Sequence, residues 1–474
     1  MMKTLLTHFF FLLIFLFISC ETAKYDAHPF EAYLAEPHPA YQYEHQHTFE
    51  GEGYTAYVVR MISQEWLSED LVNETEWWHW LTIIVPDEIE HSTGMLWIGG
   101  GTNYSDLPTD VNPMLLNTAL TTRSIVADLH NVPFQPISFL DDDRLEQRYE
   151  DDLIAYGWRK FLEGGAKDAD AVWLARLPMT AAAIRALDTM TDFASDELGQ
   201  QLENFVVGGA SKRGWTTWTT GIFDDRVIAI VPVVIDLLNI IPSFEHHWQS
   251  LGEWSPAIKE YVDEEIMDWQ ASEEFARMLE LVDPYSYLDR LSMPKFIING
   301  ASDEFFLPDS WQFYWNDLHG DKYLRYVPNY GHSLSASDAG VSMASFYNSI
   351  LTGSEIPAMN WQADQTSFTI SFEPDNLPDE LLLWNAHNPE GRDFRLYVIN
   401  RVWVAQEIDI PENGRLTVDL TVPDEGFTAW FVEATFGADT ELPLKQTTGV
   451  LVTPDVYPAD PYIPEQPLGT PKSE

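Results

Sequence analysis

Asn204-Phe205-Val206-Val207-Gly208-Gly209-Ala210-Ser211-Lys212-Arg213-Gly214-Trp215 reads as a short apolar strand, a sharp turn and the opening of a helix that runs to Phe223. Ser211 stands at the apex. A serine held there projects its hydroxyl above a sheet, with the backbone N–H groups of the helix start gathered beside it. The familiar pattern for such a turn is G-x-S-x-G. Here position 213 is arginine and the glycine falls one place later, at 214. By itself the stretch is equally a plain turn, because serine beside glycine is common. Its neighbours along the chain decide.

Before it, Tyr54 to Ile62 and Trp77 to Val85 alternate in apolar character and are rich in aromatics, as strands are. Met95-Leu96-Trp97-Ile98 is a buried strand running into Gly99-Gly100-Gly101-Thr102-Asn103, and Ser124 to Leu129 is another. After it, Arg226 to Ile235 ends at Asp236, Lys295 to Gly300 ends near Asp303, and Tyr323 to Val327 ends near His332. Helical patterns cover Glu150 to Leu162, Thr180 to Phe193 and Ser337 to Leu351, and a helical insertion at about 237–291 carries Trp248, Trp254 and Trp269. Continuous apolar strands alternating with helices predict a mostly parallel sheet covered on both faces. In such sheets the working residues collect at the carboxyl ends of the strands. Ser211, Asp303 and His332 all fall there, in the chain order Ser, Asp, His that α/β-hydrolases use.

A serine hydroxyl is a poor nucleophile until a base removes its proton. His332, after Gly331 in a tight loop, is the candidate base, and Asp303 is the candidate that orients the imidazole. Asp236, also at a strand end, is the alternative acid, with Asp309 third. The tetrahedral intermediate needs N–H donors preset where its negative charge develops. Gly100, Gly101 and Thr102 follow the third strand of the series, and the N–H of Lys212 follows the serine, so these are the oxyanion candidates. The glycine triplet lacks a following Lys-Ser/Thr and is not a P-loop. Lys212 and Arg213 either pair with nearby acids or meet an acidic substrate group. Arg213, Trp215, Trp248 and Trp254 are the substrate-binding candidates, the cap tryptophans serving either as a lid wall or as core.

These motifs resemble the PhoPQ-activated pathogenicity-related family of α/β-hydrolase-like secreted proteins. The resemblance rests on Glu150-Asp151-Asp152-Leu153-Ile154-Ala155-Tyr156, Trp173-Leu174-Ala175-Arg176-Leu177-Pro178-Met179, Gly209 to Trp215, and Val231 to Asn239. It continues with Trp254-Ser255-Pro256, Asn299 to Phe306 and Leu383-Trp384-Asn385-Ala386. A glycine at the third place after the serine fits that family and is similar to the G-x-S-R-x-G pattern of glucuronoyl and related carbohydrate esterases. The resemblance implies a hydrolase fold and leaves the substrate open.

The remainder of the chain sets the boundaries. With 474 residues two domains are expected. The balance of 26 basic against 75 acidic residues, −49 in all, argues against nucleic acid or an anionic membrane surface as partner. Residues 1–20 read as a lipoprotein-type signal, with Lys3, an apolar run from Leu5 to Ile18, and Cys20 as the lipidation candidate, so the membrane is met only through a lipid anchor. Cys20 is the single cysteine, which excludes intrachain disulfides.

Residues 21–53 read as a tether and arm whose histidines have no metal-ligand spacing, and 54–355 as an α/β-hydrolase domain with its helical cap. In 363–452 short β runs (Thr366 to Phe372, Leu381 to Asn385, Arg395 to Ile399, Gly414 to Val422, Phe427 to Thr435) predict a small all-β sandwich. Residues 453–474 form a proline-rich, extended tail. The expectation is a secreted or surface-anchored serine hydrolase acting on a small-molecule or polymer ester, less readily on an amide, with no cofactor and no metal. The alternative is a binding or signalling protein of the same fold with an idle triad.

Overall fold

The computed structural model describes residues 28–142, 144 and 146–472. The expected signal segment and Cys20 lie outside the described residues. A nine-stranded sheet carries the larger domain: β1 (Gln42–Gly51), β2 (Tyr54–Glu65), β3 (Glu76–Pro86), β4 (Thr93–Ile98), β5 (Val126–Leu129), β6 (Asn204–Ala210), β7 (Val227–Val233), β8 (Lys295–Gly300) and β9 (Lys322–Val327). Their spatial order is β1-β2-β3-β5-β4-β6-β7-β8-β9. The first three pair antiparallel, β3 meets β5 antiparallel, and every pair from β5 to β9 is parallel. This is the α/β-hydrolase fold, with β1 added at the edge.

The helices of this domain are α1 (Pro29–Ala35), α2 (Pro113–Thr122), α3 (Glu150–Glu163), α4 (Arg176–Leu198), α5 (Lys212–Phe223), α6 (Ile240–Leu251), α7 (Lys259–Asp263), α8 (Glu273–Val282) and α9 (Ala339–Thr352). They cover both faces because the strands bury both sets of alternating side chains. Phe205, Val207, Ile230 and Ile297 enter one core with α3, α4 and α5, while Val206, Val231, Phe296 and Ile298 enter the other with α2 and α9. The helix α2, absent from the sequence-based expectation, is started by Asn112, whose side chain accepts the Met114 N–H at 3.0 Å, and by Pro113 at its first turn.

Two expectations are corrected here. In the stretch 21–53, expected as a tether and arm without regular structure, 29–35 is helical and β1 pairs with β2 from Gln42↔Ile62 to Gly51↔Tyr54. β1 is an edge strand with almost every side chain exposed, so it lacks the apolar alternation by which strands are recognised. The second correction lies in the C-terminal domain. That domain has a three-stranded sheet of β10 (Asn360–Ala363), β11 (Ser367–Ser371) and β14 (Arg415–Asp419). Its second sheet is built from β12 (Glu380–Asn388), β13 (Val404–Glu407), β15 (Phe427–Phe436), β16 (Leu444–Thr447) and β17 (Leu451–Thr453). Phe368, Ile370, Leu381 and Val432 fill its core. The expected strand at Arg395 to Ile399 is instead a short helix, α10 (Leu396–Ile399).

The second domain is joined closely to the first. Trp311 Nε1 donates to the Val450 carbonyl at 2.8 Å, and Tyr326 N–H to Thr447 Oγ1 at 2.9 Å. The tail beyond Thr453 runs back over the cap, where Ala459 N–H meets the Gln249 carbonyl at 3.0 Å and Leu468 N–H the Asp268 carbonyl at 3.0 Å.

Candidate active site

Ser211 lies between β6 and α5 with φ 60° and ψ −126°, a conformation that non-glycine residues rarely adopt and that costs about 1–3 kcal/mol. Its N–H is tied to the Val233 carbonyl at 2.8 Å, which fixes the turn against β7. The displaced glycine has a steric cause. A Cβ at Gly214 would stand 2.8 Å from Ile235 Cγ2 and 2.9 Å from the Val233 oxygen, and one at Gly209 would stand 2.8 Å from the Arg213 oxygen. The close contact with β7 falls at the third residue after the serine, so position 213 can carry a long side chain.

That side chain is spoken for. Arg213 Nη1 donates to Glu150 Oε2 at 2.7 Å, and its Nε donates to the Val132 carbonyl. Lys212 Nζ lies 2.8 Å from Glu150 and 2.9 Å from Asp151. Burial alone would raise the Glu150 carboxyl, but Arg213 and then Lys212 outweigh it and bring it down to about 2. Gln135 completes the clamp, donating to Glu150 Oε1 at 2.6 Å and accepting the Glu150 N–H at 2.7 Å. The two cations therefore brace the serine turn against α3 and the loop after β5.

His332 Nδ1 donates to Asp303 Oδ2 at 2.9 Å. Asp303 is 3% exposed, and its Oδ1 accepts the Phe305 N–H at 2.7 Å, so the carboxylate has a fixed direction. The alternative acid, Asp236, is turned elsewhere. Its carboxylate accepts the hydroxyl of Tyr314 at 2.6 Å and that of Tyr326, and none of its hydrogen bonds goes to His332. Burial pushes the Asp236 carboxyl up to about 7, against the two tyrosine hydroxyls, which pull it down.

Ser211 and His332 line one cavity of about 730 Å³, together with Trp97, Gly100, Arg213 and Glu304. No hydrogen bond joins the two side chains; catalytic hydrogen bonds often tighten only in the substrate complex. Gly100 lines the cavity, and Lys212 heads α5, where a first-turn N–H has no intrahelical partner. Thr102 is corrected as an oxyanion donor, because its N–H is given to Ser105 Oγ at 3.2 Å. Gly101 stands back from the cavity wall, its carbonyl accepting from Gln135 at 2.8 Å.

The cap tryptophans are corrected too. Trp248 and Trp254 pack on each other at 5.2 Å and on Tyr462 of the tail at 4.7 and 5.0 Å, outside this cavity. Trp215 is buried, with its Nε1 donating to the Val282 carbonyl at 2.7 Å.

Three further contacts support the Asp303–His332 pair. Glu304 accepts the His332 N–H at 2.7 Å and so holds the histidine loop from the acid loop. Ser255 donates to the Glu304 carbonyl at 2.7 Å, which attaches the Trp254-Ser255-Pro256 motif of the cap to the same loop. From the second domain, Trp403 Nε1 donates to Ser302 Oγ at 2.9 Å while its carbonyl and N–H bond Asn329 at 3.0 Å each. One residue thus grips the loops of both Asp303 and His332. The motifs at Glu150, Ser255 and Glu304 were visible as family-like stretches; nothing in the local pattern marked Trp403.

The strand order, the strained serine between strand and helix, and an Asp–His pair beyond the ends of β8 and β9 define a protein of α/β-hydrolase fold. The model of the PhoPQ-activated pathogenicity-related protein family matches residues 30–395. Autocrine proliferation repressor protein A of Dictyostelium discoideum is 35% identical over 474 residues, covering 94% of each chain. The chain belongs to the PhoPQ-activated pathogenicity-related family. Among solved structures, acetyl xylan esterase 1 from Thermoanaerobacterium sp. aligns with a TM-score of 0.47 and 14% identity over 66% of this chain and 90% of that one. The glucuronoyl esterase from Solibacter usitatus aligns with a TM-score of 0.40 and 10% identity over 68% and 87%.

Proposed function

We propose that this chain is a serine hydrolase that cleaves an ester through an acyl-enzyme, with Ser211 as nucleophile, His332 as base and Asp303 as the orienting acid. The observation that carries this reading is the 2.9 Å His332–Asp303 bond beside a serine in strained φ/ψ, with the serine and the histidine on one cavity wall. His332 takes the Ser211 proton as Oγ attacks the carbonyl carbon, and later gives it to the departing alcohol. Asp303 keeps the imidazole in the tautomer that can do so and stabilises its charged form. The N–H groups of Gly100 and Lys212 receive the developing oxyanion. A fluorophosphonate probe should label the wild type and not Ser211→Ala; a folded wild type that stays unlabelled refutes the reading.

A second reading has one observation in its favour. The Dictyostelium relative is named as a repressor of proliferation, which suits a signalling protein built on a hydrolase fold. On that reading a chain with Ser211→Ala keeps its full biological effect, and on ours it loses it.

We also propose export with lipid attachment at Cys20, the only cysteine in the chain. Mass spectrometry of the mature N-terminus checks this: a diacylglyceryl adduct on Cys20 supports it, and an unmodified or differently cleaved terminus refutes it.

A further inference from the structure

Ser211 stands on the wall of two cavities. His332, Gly100 and Glu304 line the larger one, of about 730 Å³. The smaller, of about 40 Å³, lies toward the cap and is walled by Trp215, Ile235, Phe244, Ile258, Met267 and Phe306, without His332 or the glycine loop. Two buried donors among its lining residues, Arg176 Nε and Trp158 Nε1, have no hydrogen-bond partner, while the other polar groups there are occupied with one another. Arg176 Nη1 donates to the Lys212 carbonyl at 3.0 Å and its guanidinium lies 4.3 Å over the Trp215 ring. Tyr261 donates to Asp151 at 3.0 Å, and Asp151 pairs with Lys212 at 2.9 Å. What the small cavity offers a ligand is chiefly aromatic and aliphatic wall.

Building on the ester-hydrolase reading, we infer that the small cavity is the acyl site, and that the substrates are esters of a short carboxylic acid with a larger alcohol. When Ser211 Oγ adds to the ester carbonyl, the carbon carries four groups: Oγ, the oxyanion, the alcohol oxygen and the acyl chain. The oxyanion turns to the N–H groups of Gly100 and Lys212. The alcohol oxygen must come within reach of His332, which returns the proton as the C–O bond breaks. Gly100 and His332 are walls of the large cavity, whereas Lys212 lines the small one beside Ser211, so the alcohol side and the Gly100 side of the oxyanion both face the large cavity. The acyl chain is left with the small one. Water then adds to the acyl-enzyme, its proton passing through His332 to Ser211, and the short acid leaves.

Size supports the same division. A water needs roughly 10–15 Å³ of such space, so the small cavity of about 40 Å³ holds a chain of up to about three carbons and excludes an extended one. The alcohol takes the large cavity, whose wall includes Trp97, Met114, Val234, Leu334 and Met343.

The test uses the full chain and p-nitrophenyl esters that share one alcohol: acetate, butanoate and octanoate. The acetate is expected to show kcat/KM about 100-fold above the octanoate, an amount within reach of steric discrimination in a pocket. Phe244→Ala, which removes a wall of the small cavity, should raise the butanoate relative to the acetate. Octanoate turned over as fast as acetate by the wild type, with all turnover lost in Ser211→Ala, overturns the acyl assignment and leaves the ester-hydrolase reading standing. No Ser211-dependent turnover of any of the three, together with no fluorophosphonate labelling, overturns both.

Discussion

Asp303 and Asp236 are two buried aspartates just beyond adjacent parallel strands, and in the primary structure they carry nearly the same signal. Their surroundings separate them. Asp303 faces His332 and takes backbone N–H groups from Phe305 and Phe306. Asp236 faces Tyr314 and Tyr326 and is raised to about 7 by burial first of all, with Asp303 and Asp309 adding repulsion. A carboxylate next to an imidazole can orient it; one sealed among phenols is a buried polar group whose charging weakens the fold. Position at a strand end therefore selects candidates, and the partner across the gap assigns the role.

The largest test of this contrast is a pair of isosteric changes. Asp303→Asn should lower kcat by roughly 10³–10⁴-fold, because the imidazole loses the group that fixes its tautomer. Asp236→Asn should leave kcat within a few-fold, measured on one ester under the same conditions. Equal losses would show that the two carboxylates act together.

Stability against pH sharpens the comparison from the other side. The folded-state value of Asp236, about 7, lies above its ordinary value of 3.8, so the native state holds a proton that the unfolded chain gives up. Its contribution is fully present below about pH 4 and is lost as the pH rises through about 7. Asn, neutral throughout, mimics the protonated acid. Urea unfolding should show Asp236→Asn gaining on the wild type by about 2–4 kcal/mol between pH 4 and 8. A constant difference over that range removes the assignment.

Smaller effects are expected where the serine turn and the triad loops are braced. Glu150→Gln leaves Lys212 and Arg213 with a weaker partner at 8% and 11% side-chain exposure. Because Glu150 itself is 39% exposed, the loss should be about 2 kcal/mol rather than the 3–5 of a fully buried pair, read by urea denaturation. Glu304→Gln keeps an oxygen for the His332 N–H and should cost less than about tenfold in kcat, whereas Glu304→Ala frees the loop and should cost more. Trp403→Phe should lower kcat several-fold through the hydrogen bond to Ser302, with KM little changed.

Much of this is legible in the sequence. The strands flanking Ser211 are continuous apolar runs because both of their faces are covered, and that pattern survives in one dimension. The third-place glycine was readable as a family-like feature, and its cause, the contact of α5 with Val233 and Ile235, became visible only in three dimensions. β1 was illegible because an exposed edge strand has no buried face to announce it. Arg395 to Ile399 has the composition of a strand, but it forms α10, where Leu396 N–H bonds the Ser302 carbonyl at 2.9 Å beside the acid loop. In the sequence Trp248 and Trp254 suit a lid wall and a packed cap equally. Their partner, Tyr462, is some two hundred residues away and could not be inferred from spacing.

What the sequence determined by itself is periodicity and order: a parallel sheet, a serine at a strand–helix turn, and an aspartate and a histidine at later strand ends. These follow from local burial and chain connectivity, which leave their mark residue by residue. The tertiary structure alone decided partnership. It gave His332 to Asp303 and not Asp236, spent Lys212 and Arg213 on Glu150, drew Trp403 across from the second domain, and set Ser211 between a large cavity and a small one. Each of these is a contact between residues far apart in the chain, where side-chain direction over a few ångströms, and not residue type, selects the partner.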